Sequence, residues 1–157
     1  MPDTDTISTT VTASPAFTAA QEVASLINAL WQSDSTKPTV FARLSPLVNS
    51  NDGTEALPVA YAIPIEHALK RESRCHYGED IQVAFVFVSE ADEIAAQTLL
   101  AEVYLAVRTV LDAGMSNGVH FVDADIVEPY DYDLLANSGI FRSQANFQIT
   151  MVTKKEA

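Results

Sequence analysis

Apolar residues recur along this chain at two spacings, and the change from one to the other marks out its elements. Ser14-Pro15 reads as a helix cap followed by proline at the first helical position. Phe17, Ala20, Val23, Ala24, Ile27, Leu30 and Trp31 then follow at steps of three and four, which predicts a helix over 15–32. Thr39–Leu44 (TVFARL) is a short predicted strand. The segment SPLVNSNDGTEALP behind it is dense in turn residues. Val59–Ile65 (VAYAIPI) is strand-like, but Pro64 has no N–H to give a ladder, so this strand belongs at an edge or ends there. HALKRESRCHYGED is polar and basic, and predicts a loop or an extended arm.

The second half repeats the alternation of periods. Ile81–Val88 (IQVAFVFV) is apolar on both faces apart from Gln82, as befits a central strand covered on both sides. Ser89 is positioned to cap a long helix over 90–113, with acids near its N-terminus where the macrodipole favours them. Ile94, Leu99, Leu100, Val103, Ala106, Val107, Val110 and Leu111 form its apolar face, and Gly114 is placed to end it. Val119–Val127 reads as a strand. Phe141–Val152 alternates strictly: Phe141, Ala145, Phe147, Ile149 and Met151 on one face, and Arg142, Gln144, Asn146, Gln148 and Thr150 on the other. The expected fold is α+β: a mostly antiparallel sheet of four to five strands, a long helix packed on one face, and an N-terminal helix. Residues 1–13, rich in Thr, Ser and Asp, are expected to be a flexible segment. Residues 14–157 form one domain with polar insertions near 45–57 and 66–80.

Charge narrows the function. With 21 acids against nine bases, the 157-residue chain has a formal net charge of −12. Specific binding along a nucleic-acid backbone needs the opposite sign, although such a chain can let DNA pass without holding it. Cys75 is the one cysteine, which excludes an intrachain disulfide and a thiolate metal cluster. The N-terminus lacks a signal-peptide pattern, and no run approaches eighteen consecutive apolar residues, so neither secretion nor a membrane is expected.

The stretch Val122–Asp133 (VDADIVEPYDYD) concentrates five carboxylates, Asp123, Asp125, Glu128, Asp131 and Asp133, without a base. Asp123 and Asp125 share a face of a strand and can in principle flank a divalent cation. The spacing fails the calcium-loop pattern, and no lysine stands near for nuclease chemistry. A negative surface is therefore favoured over a metal or catalytic site. His67, Cys75 and His76 lack the second ligand pair a zinc site requires. No phosphate loop or nucleophile elbow occurs, so neither an enzyme nor a cofactor is expected. Lys70, Arg71 and Arg74 place a third of all the bases in one short arm. A basic arm and an acidic ledge in one chain can meet between neighbours of a ring.

Taken together, the helix Phe17–Trp31, the strand and polar insertion over Val40–Ile65, the strand Ile81–Val88, the helix Glu90–Ala113, the acidic VDADIVEPYDYD and the closing GIFRSQANFQITMV resemble the tail terminators of long-tailed bacteriophages and their neck or tail-completion neighbours. The resemblance is architectural, runs from about residue 17 to 152, and carries no diagnostic motif. It implies a structural virion protein made in the bacterial cytoplasm, forming a ring, commonly a hexamer. That ring terminates the tail tube, joins it to the head-connector proteins, and lets DNA pass through its lumen. In this setting the five acids face the lumen or a subunit boundary, Lys70, Arg71 and Arg74 form an interface arm, and Gln144, Asn146, Gln148 and Thr150 line a channel or extend a sheet. A head-completion protein docked on the portal is the near alternative. A metal-dependent hydrolase using the 123–133 carboxylates and an acidic binding module are the alternatives of other classes.

Overall fold

Two helices lie side by side on one face of a six-stranded sheet in the computed structural model, which describes residues 14–45 and 56–154. In chain order the elements are α1 (Pro15–Leu30), β1 (Thr39–Ala42), β2 (Val59–Arg71), β3 (His76–Glu90), α2 (Glu93–Ala113), β4 (Met115–Ser116), β5 (Val119–Glu128), α3 (Tyr132–Ser138) and β6 (Ile140–Lys154). The strand order is β1-β2-β3-β6-β5-β4, and among the described residues only the β1–β2 pair is parallel. The expected segment over 1–13, and residues 46–55 of the expected insertion near 45–57, lie outside the described residues.

Helix α1 starts as its sequence dictates. Ser14 is extended, its hydroxyl accepts from the Phe17 N–H at 3.0 Å, and Pro15 opens the first turn. The helix buries Ala19, Ala20, Val23, Ala24 and Ile27, a face of mostly small side chains that lets it sit close to the sheet. At its C-terminal end Trp31 stacks on Phe87 with centroids 5.3 Å apart, and its indole N–H donates to Thr36 Oγ1 at 3.1 Å. Helix α2 is long and apolar enough to cross a membrane by length and composition. It packs Ala96, Leu99, Val103, Ala106, Val107 and Val110 into the sheet's core instead. Each such Leu or Val is worth roughly 1.5–3 kcal/mol over leaving it in water.

The strands supply the other half of that core by strict alternation. Ile81, Val83, Phe85 and Phe87 of β3 and Phe141, Ala145, Phe147 and Ile149 of β6 all point toward the helices. The opposite face has a second, smaller apolar cluster of Val59, Tyr61, Ile63, Ala84 and Val86. Strand β3 is thus covered on both faces only over its C-terminal half, where its sequence is apolar throughout.

The structure corrects or sharpens four expectations. The α+β class holds, but the sheet has six strands and is mixed, where four to five mostly antiparallel strands were expected. A hydrophobic pattern carries no strand direction, and β4, two residues long, is too short to show a period. Of the loop and the extended arm that 66–80 allows, the structure has the arm: β2 runs on to Arg71 and β3 begins at His76, so the segment forms a paired hairpin. Helix α2 begins at Glu93 rather than 90, because β3 stays paired to β6 as far as Glu90 and Asp92 Oδ1 accepts from the Ala95 N–H at 2.8 Å. Finally, Tyr132–Ser138 closes the acidic stretch as a short helix between the Asp131 cap and Gly139, whose φ of 66° suits glycine.

Pro64 acts as its chemistry requires. The parallel ladder reaches the Arg43 N–H, which donates to the Ala62 carbonyl at 3.0 Å. The next bond of a parallel ladder would be donated by residue 64, and proline has no N–H to give. Beyond it, the outer edge of Ile65–Arg71 pairs with no described strand.

Candidate functional site

The residues singled out by sequence fall on the sheet face turned away from the helices and on the hairpin arm at its end. Register places them. Asp123 stands opposite Gln148, Asp125 opposite Asn146, Glu128 opposite Gln144, and His120 opposite Thr150. On the other side of β6, Thr150 stands opposite Asp80, Gln148 opposite Gln82, and Asn146 opposite Ala84. Directly opposed residues share a face. Along β6 the outer face is therefore an amide-rich strip, Gln82, Gln144, Asn146, Gln148 and Thr150, bordered by Asp80 and the apolar cluster of Tyr61, Ala84 and Val86 on one side and by His120, Asp123, Asp125 and Glu128 on the other. Asp123 and Asp125 do share a face, as their spacing predicts.

The acids do not act as one cluster. Glu128 Oε1 accepts from Arg142 Nη1 at 2.9 Å, across neighbouring strands. Asp131 Oδ1 accepts from the Leu134 N–H at 3.0 Å and caps α3, and Asp133 stands in the first turn of that helix. Asp123 Oδ1 accepts from the following N–H, that of Ala124, at 2.9 Å. Among the described residues no three of His, Cys, Asp and Glu converge in an arrangement that could hold a metal ion.

Strand β5 is bulged twice in this stretch. The register against β6 slips between Phe121 and Asp123, and again between Ile126 and Glu128. The residues left over, Val122 and Val127, are 58% and 56% exposed. Bulges of this kind break the flat edge that would otherwise template pairing with another chain.

The basic arm is divided among three directions. Lys70, opposite Gly78 on the outer face, reaches Asp80 at 3.5 Å, with both side chains largely in water. Arg71, opposite Tyr77, lies on the other face of the hairpin, and Arg74 sits in its turn. Arm and acidic ledge do not meet within one subunit. They lie three strand spacings apart across the sheet, about 14 Å, and at different levels along it. His67, Cys75 and His76 are also kept apart. His67 turns to Glu79, His76 Nδ1 bonds the Ser73 hydroxyl at 3.2 Å, and Cys75 is an exposed free thiol.

One constellation escaped the sequence reading. Glu79, 4% exposed, holds His67 Nε2 at 2.6 Å with one carboxylate oxygen and the Thr153 hydroxyl at 2.5 Å with the other. It ties the hairpin arm to the end of β6. The signal was present: counting back by twos from Ile81 puts Glu79 on the buried face, where an unpartnered acid is costly. Its partners lie 12 and 74 residues away, so only the fold reveals them.

No protein-family model matches the chain, and no curated protein matches it either.

Proposed function

We propose that this chain is a structural protein of the phage neck or tail, a ring that ends the tail tube and joins it to the head connector while DNA passes through its lumen. The observation that carries this reading is the outer sheet face. Its strip of Gln82, Gln144, Asn146, Gln148 and Thr150 is uncharged and flanked by Asp80, Asp123, Asp125 and Glu128; of the cations around it, Arg142 is held by Glu128, Lys70 reaches Asp80, and Arg43 lies over the Phe41 and Tyr61 rings. The strip itself offers phosphates no cation, and the acids beside it outnumber the bases, so duplex DNA can slide past without adhering. The net charge of −12 acts in the same sense. Turned inward around a ring, this face forms the wall of a channel. The helices then lie outside, which leaves the exposed Ile94, Tyr104 and Leu105 of α2 available to neighbouring virion proteins.

Native mass measurement of the full chain over a concentration series tests the reading, with images of the assembled species. The expected species is a closed ring with a lumen wide enough for duplex DNA, and it is not retained on a DNA column at physiological salt. A chain that stays monomeric at every concentration, alone and with tail tubes added, overturns the proposal.

A further inference from the structure

The hairpin arm is a sheet edge without a cover. Ile65–Arg71 lies beyond the end of β1, its outer side pairs with no described strand, and Ile65 and Leu69 are 44% and 62% exposed. The basic residues beside this apolar surface are not used up by the subunit. Among the described residues Arg71 and Arg74 pair with no carboxylate, and Glu72 folds back over Gly78. At the opposite side of the same sheet, β5 presents Val122 and Val127 to solvent beside Asp123 and Asp125. Asp125 and Asp133 have no cationic partner among the described residues. Each side thus presents apolar side chains beside charge: over 65–75 Lys70, Arg71 and Arg74 outnumber Glu66 and Glu72, while over 122–128 the charges are Asp123, Asp125 and Glu128.

From this we infer that the occupant of the arm is a second copy of this chain. The arm of one subunit, through Ile65, Leu69, Arg71 and Arg74, docks on the β5 ledge of the next, through Val122, Val127, Asp123 and Asp125. This deepens the ring reading above and rests on it. The two patches differ and lie on opposite sides of the subunit, so the contact is heterologous and each copy uses both. Repetition by a constant rotation closes a ring. The bulges at Val122 and Val127 interrupt the β5 edge, so side chains carry the docking and no continuous strand ladder forms between subunits. Charge favours this direction, because ledge against ledge is repelled and only arm against ledge brings Arg71 and Arg74 to free carboxylates.

Charge reversal tests this on the full chain. In one variant Arg71→Glu and Arg74→Glu make the arm acidic. In a second, Asp123→Lys and Asp125→Lys make the ledge basic. All four positions are exposed, and a cooperative thermal melt within a few degrees of the parent verifies folding. Each variant alone should lose the ring, with subunit association weakened roughly 100-fold or more by like charges facing each other. Mixed in equal amounts, they should recover it, because the acidic arm of one meets the basic ledge of the other, and the reverse contact is still the native one. Native mass then reads rings with equal numbers of the two chains. A third chain carrying all four changes should assemble by itself. If the parent forms rings and each reversed variant does so equally well, or if the mixture fails to restore them, the arm–ledge contact is wrong while the ring stands. If the parent forms no ring, both proposals fall.

Discussion

The two faces of β6 should respond in opposite ways to the same kind of truncation, and neighbouring residues provide the comparison. Phe147 is fully buried against the helices and meets Phe121 edge-on at 6.2 Å between centroids. Gln148 is only partly buried, on the outer face opposite Asp123 and Gln82. Phe147→Ala removes on the order of 120 Å² of buried apolar area, about 3 kcal/mol at 25 cal/mol/Å². The incompletely collapsed cavity and the lost aromatic contact raise this to about 4 kcal/mol. Gln148→Ala removes no core contact and should stay within about 0.5 kcal/mol of the parent. Urea unfolding monitored by circular dichroism measures both. With a denaturant slope of about 2 kcal/mol/M for a domain of this size, Phe147→Ala moves the midpoint down by about 2 M while Gln148→Ala barely shifts it. Comparable midpoints for the two variants would refute the facing of β6, and with it the assignment of the amide strip to an open surface.

Three further outcomes follow from individual contacts. Glu79→Ala strips the arm of its tie to β6 and should cost about 1–3 kcal/mol, since His67 and Thr153 can partly rehydrate. Hydrogen exchange should show the loss concentrated at Glu66–Arg71 and Thr153–Lys154 rather than in the core. Asp92→Ala should lower stability by about 1 kcal/mol by uncapping α2, whereas Ser89→Ala should be nearly silent; equal effects in thermal melts would restore the cap to Ser89. Arg142→Ala breaks a half-exposed pair with Glu128, so chemical denaturation should register a loss of no more than about 1 kcal/mol.

Much of the architecture was legible along the chain because burial on one face imposes a period. The three-and-four spacing of Val23 and Ile27, the alternation around Phe147 and the Ser14-Pro15 cap all reappear in the structure. The shared face of Asp123 and Asp125 follows from the same two-residue period. Errors arose where a local signal had a nonlocal competitor. Ser89 has the chemistry of a cap, yet β6 holds it in a ladder, and Asp92 takes the role instead. The polar segment 66–80 leaves loop and extended arm open, because an exposed strand needs no apolar alternation; pairing of Glu66–Arg71 with β3, and of His76–Asp80 with β6, makes it an arm.

What the sequence determined by itself was the kind of domain, its helix faces, its acidity and the polarity of its closing strand, all of which depend on residues near one another in the chain. Only tertiary structure decided that β1 runs parallel to β2, that Glu79 joins His67 to Thr153, and that the basic arm and the acidic ledge stand on opposite sides of one sheet. These are relations between strands, set by register and order, and no periodicity within a strand encodes them. The acidic stretch illustrates the division. Its charge was plain from composition, but the fold distributes those carboxylates among a helix cap, an ion pair and an open face.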